Sequence, residues 1–167
     1  MSDGGYVELH ARSAFSFLRA ASLPETLASV AGGLGLSALA VCDRMGIYGA
    51  PRLTSAAREA GVRPIMGCEL VLEDDSVLPV LVADRTGYRN LCELLTAAHL
   101  RAAKGEGRVR WDELPAYSEG LVALTGDEEG PLCRALARGE DPLPLLDTLR
   151  RGFGPDGVHV EVQRHRR

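Results

Sequence analysis

Short apolar runs alternate with helix-period segments along the whole chain. Residues 6–10, 38–42, 63–72, 77–83, 120–125 and 158–162 read as strands. They are almost entirely apolar, as in Leu39-Ala40-Val41, Val80-Leu81-Val82 and Leu121-Val122-Ala123-Leu124, which suits strands buried on both faces. Residues 24–33 carry Leu27, Val30, Ala31 and Leu34 at helical spacing, with Ser22 as candidate N-cap, Pro24 in the first turn and Gly35 as the stop. A second helix spans 48–60 and ends at Gly61. A third spans 86–98, with Tyr88, Leu91, Leu94 and Leu95 on one side. Two more cover 131–138 and 144–151, and 111–114 reads as a short helical turn after a polar, glycine-bearing loop at 101–110.

Strands and helices in alternation predict an α/β fold with a parallel sheet or barrel. Ionisable or polar residues stand at the C-terminal ends of the strands: His10, Asp43, Glu69, Thr125, and Gln163 with His165. In parallel barrels that rim is where chemistry is built. The length of 167 residues fits one domain, residues 1–167.

Charge narrows the partners. The net charge of -4 argues against a dedicated nucleic-acid-binding module, which carries a basic surface. Arg164, Arg166 and Arg167 around His165 read as a solvated tail. Cys42, Cys68, Cys92 and Cys133 form no close pair and read as small buried hydrophobes of a reducing compartment. No start like a signal peptide is visible, and no stretch reaches the ~20 apolar residues of a membrane span. A soluble, cytoplasmic protein is expected. Trp111 reads as a hydrophobic anchor for the long loop rather than a base-stacking platform, His99 as a surface residue at a helix C-terminus, and His159 as an outward strand residue.

Six segments carry a family resemblance: Glu8-Leu9-His10-Ala11-Arg12-Ser13 running on to Leu18, Leu39 to Gly49 (LAVCDRMGIYG), Arg63 to Leu70 (RPIMGCEL), Thr86 to Leu95 (TGYRNLCELL), Gly120 to Gly126 (GLVALTG) and Val160 to His165 (VEVQRH). In this order and spacing the chain resembles the N-terminal PHP (polymerase and histidinol phosphatase) domain of bacterial DNA polymerases of the polymerase III alpha-subunit class, most of all the error-prone, translesion branch. The resemblance implies a distorted (β/α)7 barrel, here incomplete at its C-terminal end. Complete members hold up to three metal ions, zinc or manganese, at the strand ends. Clustered divalent ions make a hydroxide nucleophile and clamp the leaving oxygen of a phosphoester.

Residue by residue, the implied metal site is degraded. His10 matches the first histidine of the family's opening His-x-His, but Arg12 stands at the second. Arg19 stands where the family has an aspartate, and Arg44 replaces the histidine of a Thr-Asp-His motif. Glu69 matches a metal-bridging glutamate, Leu78 falls where a further histidine lies, and Asp127 falls where a cysteine or histidine lies. The family's last Asp-x-His pair falls beyond residue 167. His10, Glu69 and Asp127 are thus the residual metal-ligand candidates. Arginine stays protonated and offers a metal no lone pair. Arg12, Arg19 and Arg44 are instead expected to converge on Glu69, with Asp43 or Asp127, and to do structurally what metal does in relatives.

The resemblance implies a non-catalytic module that supports a polymerase core in a longer chain, with no cofactor of its own and with magnesium and DNA belonging to that core. A sliding clamp or a proofreading exonuclease is a further implied partner. The second reading is a metal-dependent phosphoesterase, a 3′–5′ exonuclease or a phosphatase. The third is a defective remnant with open sheet edges.

Overall fold

The structure is a computed structural model that describes residues 5–163, so the basic tail and His165 lie outside the described residues. Its contacts divide it into two compact units that meet in sequence between Cys68 and Glu69.

In the first unit, β1 (Glu8–Ala11) pairs in parallel with β2 (Ala38–Arg44), and the strand order is β1-β2-β3. Glu8 faces Leu39 and Ala11 faces Val41, so β1 carries one residue more than β2 between these pairs. His10 lies in that bulge. Its backbone N–H is taken by the Glu8 Oε1 at 2.9 Å instead of joining a regular ladder. Bulges re-aim side chains and cluster near functional sites.

Helices α1 (Pro24–Gly33) and α2 (Ala50–Glu59) each have a proline in the first turn, where the missing N–H costs nothing. Gly35 at φ +72° and Gly61 at φ +70° follow their C-termini in the left-handed region. The buried face of α1 is Pro24, Ala28 and Ala31 with Leu27 beside them; of the expected stripe, Leu27 and Ala31 face the core, but Val30 is 54% exposed and Leu34 71%. Small residues win that face because α2 comes very close; a Cβ on Gly32 would sit 2.8 Å from the Ala60 carbonyl oxygen. The two helices bury Ala28, Ala31, Leu53 and Ala57 against Leu39 and Val41 of β2. Ser22 is not the N-cap. Leu23 holds that position without a side-chain bond, and the Ser22 carbonyl accepts the Ala14 N–H at 2.7 Å.

Strand β3 (Arg63–Val71) runs from the first unit into the second. There the order is β3-β4-β5-β6, with β4 (Val77–Val82), β5 (Leu121–Leu124) and β6 (Val158–His159). The expected all-parallel sheet is corrected here: β4 pairs antiparallel with β5, Val80 opposite Ala123, and β5 pairs parallel with β6. Residues 72–76 between β3 and β4 are too few for a helical crossover, so the chain turns tightly instead. The sixth strand is shorter than expected; Val160 and Val162 lie past it, 72% and 83% exposed.

Helix α3 (Arg85–Leu100) is capped by Asp84, which accepts the Gly87 N–H at 2.9 Å. A Cβ on Gly87 would fall 1.9 Å from the Gly120 oxygen, so the helix enters directly over that turn. Leu91, Leu94 and Leu95 are buried as expected, but Tyr88 is half exposed and buried Asn90 takes its side, donating to the Glu119 carbonyl at 2.9 Å. Helices α4 (Leu114–Tyr117), α5 (Pro131–Ala137) and α6 (Leu143–Phe153) complete the unit. The short helical turn thus starts at Leu114, after Trp111. Cys42 and Cys68 are buried as expected, while Cys92 is half-buried and Cys133 exposed; all four are free thiols.

The loop at 101–110 is stitched to the β3–β4 turn. Val109 bridges Leu72, and Trp111 donates its backbone N–H to Glu73 and its indole N–H to Asp74 at 3.4 Å. Trp111 therefore ties the loop down through its backbone and indole N–H groups. Burial pushes the Asp74 carboxyl up, but donors from the Ser76 hydroxyl and N–H and the Trp111 indole outweigh it and hold the carboxyl below its usual value. A depressed carboxyl stabilises the fold above its unfolded pKa of about 3.9, and that contribution is lost as pH falls through the lower folded value. The stability gap between the parent chain and Asp74→Asn is expected to be constant above about pH 5 and to shrink below about pH 4. Denaturant titrations from pH 2 to pH 7 check this; a gap unchanged at pH 2 contradicts it.

Candidate functional site: a buried carboxylate beneath the first loop

Strand β2 is apolar until its last two residues, Asp43 and Arg44. Asp43 is 2% exposed, and an ionised carboxylate so placed needs several donors. The loop between β1 and α1 supplies them. The Ser13 N–H reaches Oδ1 at 2.8 Å, the Ser13 hydroxyl reaches Oδ2 at 2.6 Å, and the Ser16 hydroxyl reaches Oδ1 at 2.6 Å. Ser16 Oγ in turn accepts the Arg44 N–H at 3.2 Å, and Ser13 Oγ accepts the Phe15 N–H at 3.2 Å. Both serines are themselves buried. The loop thus hangs from one carboxylate at the end of β2 and is closed at its base by the Ala14–Ser22 bond.

Phe15 leaves this knot and packs outward. Arg52 of α2 lies over its ring, 5.7 Å from the centroid, and also pairs with Glu25 of α1, holding the Glu25 carboxyl below its usual range. Gly49 admits the contact: a Cβ there would come within 3.2 Å of Phe15 and 3.0 Å of Pro24.

The residues singled out from the sequence fall as follows. His10, in the β1 bulge, is half-buried; Arg12, just after β1, and Arg44, at the end of β2, are half-buried; Arg19, in the loop, is exposed. In the second unit, Glu69 of β3 and Leu78 of β4 are both 0% exposed, and Asp127 follows β5 half-buried, accepting the Glu129 N–H at 2.9 Å. None of the six ionisable members of that set is without a partner. His159 points outward as expected.

Zinc or manganese needs several His or carboxylate ligands with free lone pairs. Among the described residues no three His, Cys, Asp or Glu side chains are grouped to hold a metal ion. Asp43 accepts three donors, two on Oδ1 and one on Oδ2. The void beside it, lined by Val41, Asp43, Ile47, Leu53 and Met66 among others, measures about 10 Å³, the lower limit for a single water. The side chains present do not fit the metal cluster of an intact phosphoesterase, so no hydrolytic step is derived through one.

A mixed α/β chain with ionisable residues at its strand ends is the class of protein defined so far. A profile of the PHP domain matches residues 8–165, and the chain belongs to that family. Over 80% of this chain it is 44% identical to error-prone DNA polymerase 1 of Agrobacterium fabrum. Over 98% it is 40% identical to the error-prone DNA polymerase of Mycobacterium bovis, and over 99% it is 34% identical to the DNA polymerase III subunit alpha of Caulobacter vibrioides. The matches fall in the N-terminal regions of such polymerases. The chain spans only 12% to 16% of the length of these relatives. Among solved structures, a chain from Bifidobacterium adolescentis described as a metal-dependent phosphoesterase matches 92% of this chain and 85% of its own length, with a TM-score of 0.53 and 16% identity. That likeness supports the PHP-type α/β fold.

The resemblance was carried by motif residues; the Asp43 anchor was missed as an anchor. Its signal was present, since Asp43 ends a fully apolar strand and two serines sit in the preceding loop. Asp43→Ala would leave the Ser13 N–H and two hydroxyls buried without their acceptor, and is expected to cost about 3 kcal/mol. Asp43→Asn keeps one acceptor oxygen and is expected to cost about half as much. Guanidinium titration checks this; a loss below about 1 kcal/mol for Asp43→Ala contradicts the anchor.

Proposed function

We propose that this chain acts as a structural PHP module for a DNA polymerase of the error-prone type, bearing on the polymerase core without hydrolysing phosphoesters itself. The observation that carries the reading is the 40% identity across 98% of the chain to an error-prone DNA polymerase. The relatives are far longer polymerase chains, which supports a polymerase core as the partner. Among the described residues no helix is long and apolar enough to cross a membrane.

The non-hydrolytic half rests on residue chemistry. Arg12, Arg19 and Arg44 stand at positions where a metal-binding relative needs lone pairs, and Leu78 offers none either. Nearby guanidinium groups also raise the cost of bringing in a divalent cation. DNA contact and magnesium-dependent nucleotidyl transfer belong, on this reading, to the polymerase core. Neither a sliding clamp nor a proofreading exonuclease is favoured by any feature of the described residues.

The test is hydrolysis of p-nitrophenyl phosphate and of 3′-labelled single-stranded DNA, with manganese and with zinc. No metal-dependent rate above the protein-free blank is expected, with His10→Ala indistinguishable from the parent. A metal-dependent rate abolished by His10→Ala would establish the phosphoesterase reading instead.

A further inference from the structure

The loop that hangs from Asp43 presents two bare apolar side chains. Phe17 is 82% exposed and Leu18 89%. Leu18 also sits at φ +61°, the left-handed region in which a Cβ crowds the following carbonyl. Glycine or asparagine is the usual occupant of such a position. The fold therefore spends conformational energy to hold a leucine in water, and nothing within the loop is packed by it.

The mounting is rigid. Ser16 donates its N–H to the Ser13 carbonyl at 2.9 Å, Arg19 and Ala20 donate theirs to the Ser16 carbonyl at 2.9 and 3.2 Å, and the two serines are fastened to Asp43. Phe15, Leu23 and Tyr48 of the same unit are less exposed than this pair, at 36%, 44% and 63%. Preordered apolar anchors lose little entropy on association, which is how contact hot spots are built.

We infer that the Phe17–Leu18 knob docks into an apolar pocket on the polymerase core of an error-prone-type polymerase chain. Size selects this occupant. Two such side chains bury roughly 300 Å² together, well short of the about 800 Å² per partner of a stable free complex. A partner in the same polypeptide needs far less, because the tether supplies a high effective concentration. The matched relatives carry that core: this chain spans 12% to 16% of their length. The inference rests on the scaffold reading given above and locates its contact.

The experiment uses the full-length Mycobacterium bovis error-prone DNA polymerase with this chain exchanged for the matching segment. The parent chimaera is compared with a Phe17→Ser/Leu18→Gly version by limited proteolysis between the exchanged segment and the rest, and by primer extension. The same double substitution is made in the 167-residue chain alone. In the chimaera the variant is expected to be cut at least tenfold faster and to melt as two separate transitions. In the isolated chain it is expected not to lower the melting temperature, because Leu18→Gly relieves the left-handed backbone. Equal cutting rates in variant and parent, with the parent melting as one unit, overturn the knob and leave the scaffold reading standing. A parent chimaera that already melts as two independent units overturns both. Concentration-dependent dimers of the isolated chain that vanish in the double variant would assign the knob to a second copy and overturn the inference.

Discussion

Everything at the front of this chain depends on the bonding of one buried carboxylate. Asp43 ends a strand that is otherwise apolar, so its charge is stable there only if the loop above brings donors to it. Ser13 and Ser16 do so. Once they are fixed, the path of the loop from β1 to α1 is fixed with them. Phe15 is then placed beneath Arg52, and Phe17 and Leu18 face solvent. Local sequence, burial and surface are thus tied together by three short hydrogen bonds.

Much of this fold was legible along the chain. Continuous apolar runs marked the strands, because a strand buried on both faces has no polar phase to lose. Proline in the first turn and glycine past the end fixed the helix limits to within a few residues. Failures came where tertiary contact overrode local pattern. The buried stripe of α1 was read only in part: Leu27 and Ala31 face the core, but Ala28 replaces the larger Val30 and Leu34 because α2 approaches at Gly32. The antiparallel β4–β5 pairing was hidden because a long helical connection normally signals a parallel crossover. The bulge at His10 leaves no mark in hydrophobic periodicity, since the extra residue is compensated by the Glu8 side chain.

The candidate site was legible in its residues more than in its arrangement. Motif positions identified His10, Glu69 and the arginines, and suggested ion pairs on Glu69, yet they did not show the serine bonds that hold the first loop. In the first unit three hydrogen bonds from the loop fasten Asp43, beside a void at the lower limit for one water. A strand-end carboxylate that serves as a hydrogen-bond acceptor for its own loop cannot also serve a cation well. On the proposed reading, the PHP framework persists as a support for a polymerase core and hydrolyses no phosphoester itself.

Metal content tests that central claim most directly. The protein is purified without chelator, dialysed against zinc and manganese, returned to metal-free buffer and measured by elemental analysis. The account predicts far less than one ion of either metal per chain, with the same melting temperature before and after exposure. One tightly held ion per chain, lost on His10→Ala or Glu69→Gln, would contradict it.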